Sequence, residues 1–143
     1  MSKVAIVYWS GTGNTEQMAE SVANGARNAG ADVTTFTAAE FDADKMDEFD
    51  AIAFGCPSMG AEQLEEDEFE PMFTACESKL SGKKIALFGS YGWGDGEWMR
   101  DWESRISSDG ASVLNGEGLI TNGAPSDDII EECRQIGASL ANL

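Results

Sequence analysis

Apolar runs of strand length alternate along the chain with segments of helical period. Val4-Ala5-Ile6-Val7-Tyr8 is continuously apolar, the mark of a strand buried on both faces. Asn14 to Ala29 places Met18, Val22 and Ala26 on one side, which predicts a helix with one buried face. Gly30 stands where that helix should stop. Asp32 to Thr37 is rich in β-formers, and Phe49 to Gly55 and Ile85 to Gly89 are further buried runs. Helical patterns fill Phe69 to Leu80, ended by Ser81-Gly82, and Glu97 to Ser108. Ala111 to Thr121 reads as a strand interrupted by Gly116-Glu117-Gly118. Ser126 to Leu143 reads as a closing helix, with Pro125 before it and Asp127 and Asp128 in its first turn.

The order is βαβαβαβα with a fifth strand. It predicts an α/β fold: a doubly wound five-stranded parallel sheet with helices on both faces and right-handed crossovers. At 143 residues, one domain spanning 1–143 is expected. Ligands in such sheets bind outside the carboxyl ends of the strands. Function should therefore sit in the loops after the first, third and fourth strands.

The first loop is Ser10-Gly11-Thr12-Gly13-Asn14-Thr15. Helix-start N–H groups and the macrodipole favour an anion there, and two glycines let the backbone wrap a phosphate. The loop lacks the Gly-Lys-Ser/Thr of a Walker loop and the spacing of a dinucleotide fingerprint. A polar strand-to-helix turn with a good cap explains the same residues. The second loop is Cys56-Pro57-Ser58-Met59-Gly60-Ala61-Glu62. Cys56 reads as a core residue, because no neighbouring cation lowers its pKa. The third is Ser90-Tyr91-Gly92-Trp93-Gly94-Asp95-Gly96. Aromatics in a glycine-rich loop tip suit a flat ligand.

Composition narrows the chemistry. Nine Lys and Arg face 26 Asp and Glu, a net charge of −17, which argues against nucleic-acid and membrane partners. There is no histidine, so Ser-His-Asp and Cys-His catalysis and imidazole metal sites are excluded. Cys56, Cys76 and Cys133 form no CxxC pair. They predict reduced, buried thiols in a cytoplasm and no metal site. The first apolar run is too short for a signal peptide.

Tyr8-Trp9-Ser10-Gly11-Thr12-Gly13-Asn14-Thr15, Met59-Gly60 with Glu62, Glu65-Glu66 to Phe69-Glu70-Pro71, and Leu87 to Gly96 resemble flavodoxins of the short-chain clostridial type. The resemblance covers nearly the whole chain and implies strand order 2-1-3-4-5. It implies one noncovalent FMN and a low-potential, single-electron carrier that replaces ferredoxin. Its partners would be redox enzymes with basic docking surfaces, and the carrier would be a monomer. Ser10, Gly11, Thr12, Gly13, Asn14 and Thr15 would hold the phosphate. Pro57, Ser58, Met59, Gly60, Ala61 and Glu62 would form the second contact, with Met59 under the ring and Glu62 at its pyrimidine edge. Ser90, Tyr91, Gly92, Trp93, Gly94 and Gly96 would form the third, with Trp93 over the outer face. Ala61 replaces an acidic residue of that type, and Gly123 an Asn.

Two other readings share the topology. A response regulator needs acids where Gly55-Cys56 and Trp9-Ser10 stand. A small FMN-dependent NAD(P)H:quinone reductase needs longer loops to build its substrate pocket. Helix starts and strand ends share the loop edge, so Glu16, Glu62, Asp95, Glu97 and their neighbours should make that end negative. Lys3, Lys83 and Lys84 should mark the far end.

Overall fold

The apolar runs become parallel strands: β1 (Lys3–Tyr8), β2 (Asp32–Thr37), β3 (Ala51–Gly55) and β4 (Lys84–Tyr91). Helices α1 (Asn14–Asn28), α2 (Phe69–Cys76), α3 (Glu97–Ser108) and α4 (Asp127–Ala141) connect and close them. The computed structural model describes residues 2–143. The sheet order is β2-β1-β3-β4, as expected, and the fifth position lies beside β4.

That position is split. β5 (Ser112–Val113) pairs with the start of β4, and β6 (Leu119–Asn122) pairs with its end. Asn115 at φ 67° and Gly116 at φ 82° turn the chain out between them. Gly118 must be small, since a Cβ there would meet the Met99 sulfur. The glycines read in the sequence as an interruption thus cut one expected strand in two. The helix expected over Phe69 to Leu80 also divides: α2 ends at Cys76, and Glu77–Lys79 tightens into a 3-10 turn.

Alternate residues of each strand feed two cores. Ala5, Val7, Ile52, Phe54, Ile85 and Leu87 face α2 and α3, against Phe69, Phe73, Trp98 and Trp102. Phe54 meets Phe73 edge-on at 5.1 Å. Such pairs add about 0.5–1.5 kcal/mol to area burial. Val4, Ile6, Ala53 and Ala86 face α1 and α4. Small residues there let the two helices approach closely. A Cβ on Gly25 would enter the backbone of Arg134, and one on Gly137 would strike the backbone of Val22.

Arg105 joins the layers on the first face. It bonds the Glu70 and Glu77 carboxylates at 2.7 Å each and lies 4.9 Å from the Phe73 ring centroid. These bonds hold both carboxyls below the usual range. Among the described residues, no helix is long and apolar enough to cross a membrane.

Candidate functional site

Parallel strands bring the expected loops to one edge. There a mainly apolar cleft of about 240 Å³ opens. Trp9, Ser10, Gly11, Thr12, Asn14 and Thr15 form one wall, Pro57, Ser58 and Met59 a second, and Ser90, Tyr91, Gly92 and Gly123 the third. None of these is cationic.

The first loop folds around its own serine. Ser10 Oγ accepts the N–H groups of Gly13 and Glu16 at 3.2 Å each. Gly13 takes φ 96° at the start of α1 and has no side chain to cap it, so among the first-turn N–H groups Ser10 Oγ takes only that of Glu16. The N–H groups of Asn14 and Thr15 meet no protein acceptor among the described residues. The helix therefore presents free donors and its positive dipole end to the cleft. Thr15 is buried, and its Oγ1 accepts from Ser90 N–H at 3.4 Å. That bond fixes the first loop against the end of β4.

In the second loop, Met59 and Gln63 exchange backbone hydrogen bonds at 2.8 and 2.9 Å. The turn they close holds positive φ at Gly60 (53°) and at Glu62 (53°). Ala61 escapes the strained region, as a side chain favours; Glu62 takes it. Ser58 N–H donates to the Ser90 carbonyl at 3.0 Å and ties this loop to the third.

The third loop is anchored behind the cleft. Ser90 Oγ donates to the Gly123 carbonyl at 2.6 Å, and Gly123 N–H donates to the Tyr91 carbonyl at 2.9 Å. Tyr91 packs on Trp98 with centroids 5.5 Å apart. Trp93 is 63% exposed, the most exposed large apolar side chain among those described. Asp95 pairs with Arg100 at 2.9 Å.

The structure gathers Ser10, Gly11, Thr12, Asn14, Thr15, Pro57, Ser58, Met59, Ser90, Tyr91 and Gly92 around the cleft. Gly13 shapes the loop behind it. Gly60, Ala61, Glu62, Trp93, Gly94 and Gly96 lie beyond its walls. Glu62 faces α3, where its carboxylate takes the Glu97 N–H at 3.2 Å. Trp9 and Gly123, outside the set the resemblance implies, also line the cleft. Trp9 follows β1 directly, and its indole N–H donates to Glu68 at 3.1 Å. Its adjacency to the glycine loop is the sequence signal that marks it.

Cys56 sits beneath the second loop, fully buried, and burial pushes its thiol far above the usual range. It is a core thiol, as the sequence suggested. All three cysteines are unpaired.

Comparison with known proteins gives a consistent result. The sequence profile described as Flavodoxin matches residues 6–136. The chain is 46% identical to a flavodoxin of Clostridium beijerinckii over 138 residues, covering 96% of this chain and 99% of that one. It is also 46% identical over 138 residues to a flavodoxin of Megasphaera elsdenii, covering 96% and 98%. The solution structure of two-electron reduced Megasphaera elsdenii flavodoxin superposes with a TM-score of 0.88 at 44% identity, covering 98% of this chain and 99% of that one.

Proposed function

The chain belongs to the flavodoxin family, and from that membership we propose that its three-loop cleft holds the family's FMN in a single domain spanning residues 1–143. Flavodoxins are FMN-bearing electron carriers and not enzymes, so the quinone reductase alternative gives way. FMN supplies the one-electron chemistry when bound. The protein supplies the grip, the packing and the surrounding charge.

The observation that carries the cofactor assignment is the start of α1. Its free N–H groups, the hydroxyls of Ser10, Thr12 and Thr15, and the amide of Asn14 form a donor set without a cation. That set suits a phosphate. Trp9, Met59 and Tyr91, one from each wall, give the cleft an apolar side that suits a flat ring. Met59 is assigned to the inner ring face and Trp93 to the outer, which the exposure of Trp93 supports. The Ser58, Ser90 and Gly123 bonds hold the walls in register, so little ordering is left for binding.

We place the carrier in the cytoplasm as a monomer that docks flavin-edge first on redox enzymes with basic surfaces. The unpaired cysteines support the compartment. The net charge of −17 opposes self-association and favours basic partners. Lys3 and Lys84 start β1 and β4 on the opposite edge, which supports the expected polarity.

The test is a titration of flavin-stripped protein with FMN and with riboflavin. FMN should bind far more tightly, since only it carries the phosphate. Trp93→Ala should weaken FMN by roughly 1–3 kcal/mol, the scale of aromatic stacking on a base. Equal affinity for the two flavins would remove the phosphate from the first loop.

A further inference from the structure

We propose that the Cys56 thiol and the Glu65 carboxylate form a clasp that holds the Pro57–Leu64 loop in place, making both residues positioning residues for the cofactor. The inference rests on the flavin reading above. Neither side chain lines the cleft; each acts through the loop that does.

Cys56 is pinned through its backbone. Its N–H donates to the Phe88 carbonyl at 3.1 Å, and its carbonyl accepts the Trp98 indole N–H at 3.1 Å. Gly89 packs directly on that carbonyl, leaving no space for a Cβ. The first foot of the loop is thus locked to β4 and α3. From this point the thiol reaches across the loop. Its sulfur accepts the Glu65 N–H at 3.4 Å and donates to the Pro57 carbonyl at 3.5 Å. One side chain thereby bridges the loop from Cys56 to Glu65, nine positions on.

Glu65 locks the second foot. It is only 6% exposed. Its carboxylate accepts the N–H groups of Asp67 at 2.7 Å and of Glu68 and Phe69 at 2.8 Å each. Its own carbonyl accepts Glu70 N–H at 2.9 Å. Burial pushes the Glu65 carboxyl up, and the three N–H bonds outweigh it, so it stays below the usual range. It therefore keeps its charge and all three bonds. Burial keeps the Cys56 thiol protonated, which is the form that can donate to Pro57.

Between these feet the loop has few other ties. Ser58 N–H reaches the Ser90 carbonyl, and Met59 pairs with Gln63. Gly60 and Ala61 are exposed. With the clasp released, the segment bearing Met59 has more arrangements, and cofactor affinity falls with the fraction of molecules in the competent one.

The test compares Cys56→Ala, Cys56→Ser and Glu65→Gln with the parent. Cys56→Ser keeps a donor and an acceptor at that place, whereas Cys56→Ala removes both. Glu65→Gln keeps the shape and turns one acceptor into a donor facing N–H groups. Residue-resolved amide exchange on the protein as purified is the first readout. The second is release of FMN on dilution, seen as flavin fluorescence. Cys56→Ala and Glu65→Gln should speed exchange at residues 58–65 and weaken FMN binding by about five- to tenfold, the loss of one hydrogen bond. Cys56→Ser should stay within about twofold of the parent.

Unchanged exchange at 58–65 in both disruptive variants overturns the clasp. So does a Cys56→Ser protein no better than Cys56→Ala, or faster exchange spread evenly over β1 and β3, which marks general destabilisation. Should Cys56→Ala fail to fold, Glu65→Gln decides by the same two readouts. A parent that holds no flavin overturns the cofactor reading instead, and the exchange pattern still decides the clasp.

Discussion

Glu62 Oε1 accepts the backbone N–H of Glu97 at 3.2 Å, so a carboxylate from the loop after β3 caps the first turn of α3. The macrodipole favours that charge at a helix start. Gly94 makes the contact possible, because a Cβ at 94 would collide with the Glu62 carboxylate, and Gly94 already sits at φ 86°. Gly94→Ala should therefore fail twice. Its backbone costs roughly 1 kcal/mol in the left-handed region, and its methyl pushes Glu62 off the helix. FMN affinity should drop, since the second and third loops lose one of the contacts that join them. Flavin fluorescence titration measures it, and an affinity equal to the parent's would separate this contact from the cleft.

Gly25 and Gly137 lie where α1 and α4 cross most closely. Either replaced by Ala forces the helices apart, because each new Cβ meets backbone that cannot rotate away. Overpacking of this kind costs typically about 1–3 kcal/mol. Urea unfolding should show that loss for each variant. The double variant should lose less than the sum, since the first separation makes room for the second methyl. Full additivity would mean that the two sites relax independently.

These relationships differ in how far they could be read in advance. Val4 to Tyr8 and Ile85 to Gly89 announce central strands, because burial on both faces demands unbroken apolar runs. Ser10 to Thr15 announce a donor-rich turn at a helix start through local chemistry alone. The split of β5 from β6 depends on Asn115 entering the left-handed region and on Gly118 yielding to Met99, a tertiary contact. The cap formed by Glu62 is hidden as well: the resemblance implies a place at the ring edge, and the bond to α3 depends on a helix start 35 positions away. Gly123 reaches the cleft only because β6 pairs with β4.

Asp109 gives stability an unusual pH component. Glu77 beside it, aided by burial, pushes its carboxyl from 3.8 up to about 6. The Arg105 guanidinium opposes the rise, and Glu70 shares that guanidinium. Two carboxylates need a proton to bond, and Asp109 Oδ2 is buried without another partner. A raised folded-state pKa means that this contribution is complete below 3.8 and is lost as pH rises through about 6. Glu65, Glu70 and Glu77 have lowered pKa values and act in the opposite sense, losing their contribution as pH falls. Asp109→Asn mimics the protonated group. It should match the parent near pH 4 and exceed it near pH 7, as read by denaturant midpoints at both values. A variant advantage that is the same at both pH values would rule out the shared proton.

Salt separates the two parts of the cofactor. No residue lining the cleft is Lys or Arg, and the chain carries −17 overall. The phosphate of FMN must therefore approach against a net repulsive field, held by neutral N–H and hydroxyl donors once it arrives. Raising ionic strength from 0.01 to 0.1 M shortens the Debye length from about 30 to about 10 Å. That removes much of the repulsion from distant carboxylates and leaves the short hydrogen bonds in place. The Kd for FMN should fall as salt rises. Riboflavin, without the phosphate charge, should change much less over the same range. The comparison matters because salt also strengthens apolar burial, which would act on both flavins alike. A Kd for FMN that climbs with salt would reveal a cation at the phosphate and overturn the assignment of that group to the uncharged donors of residues 10–15.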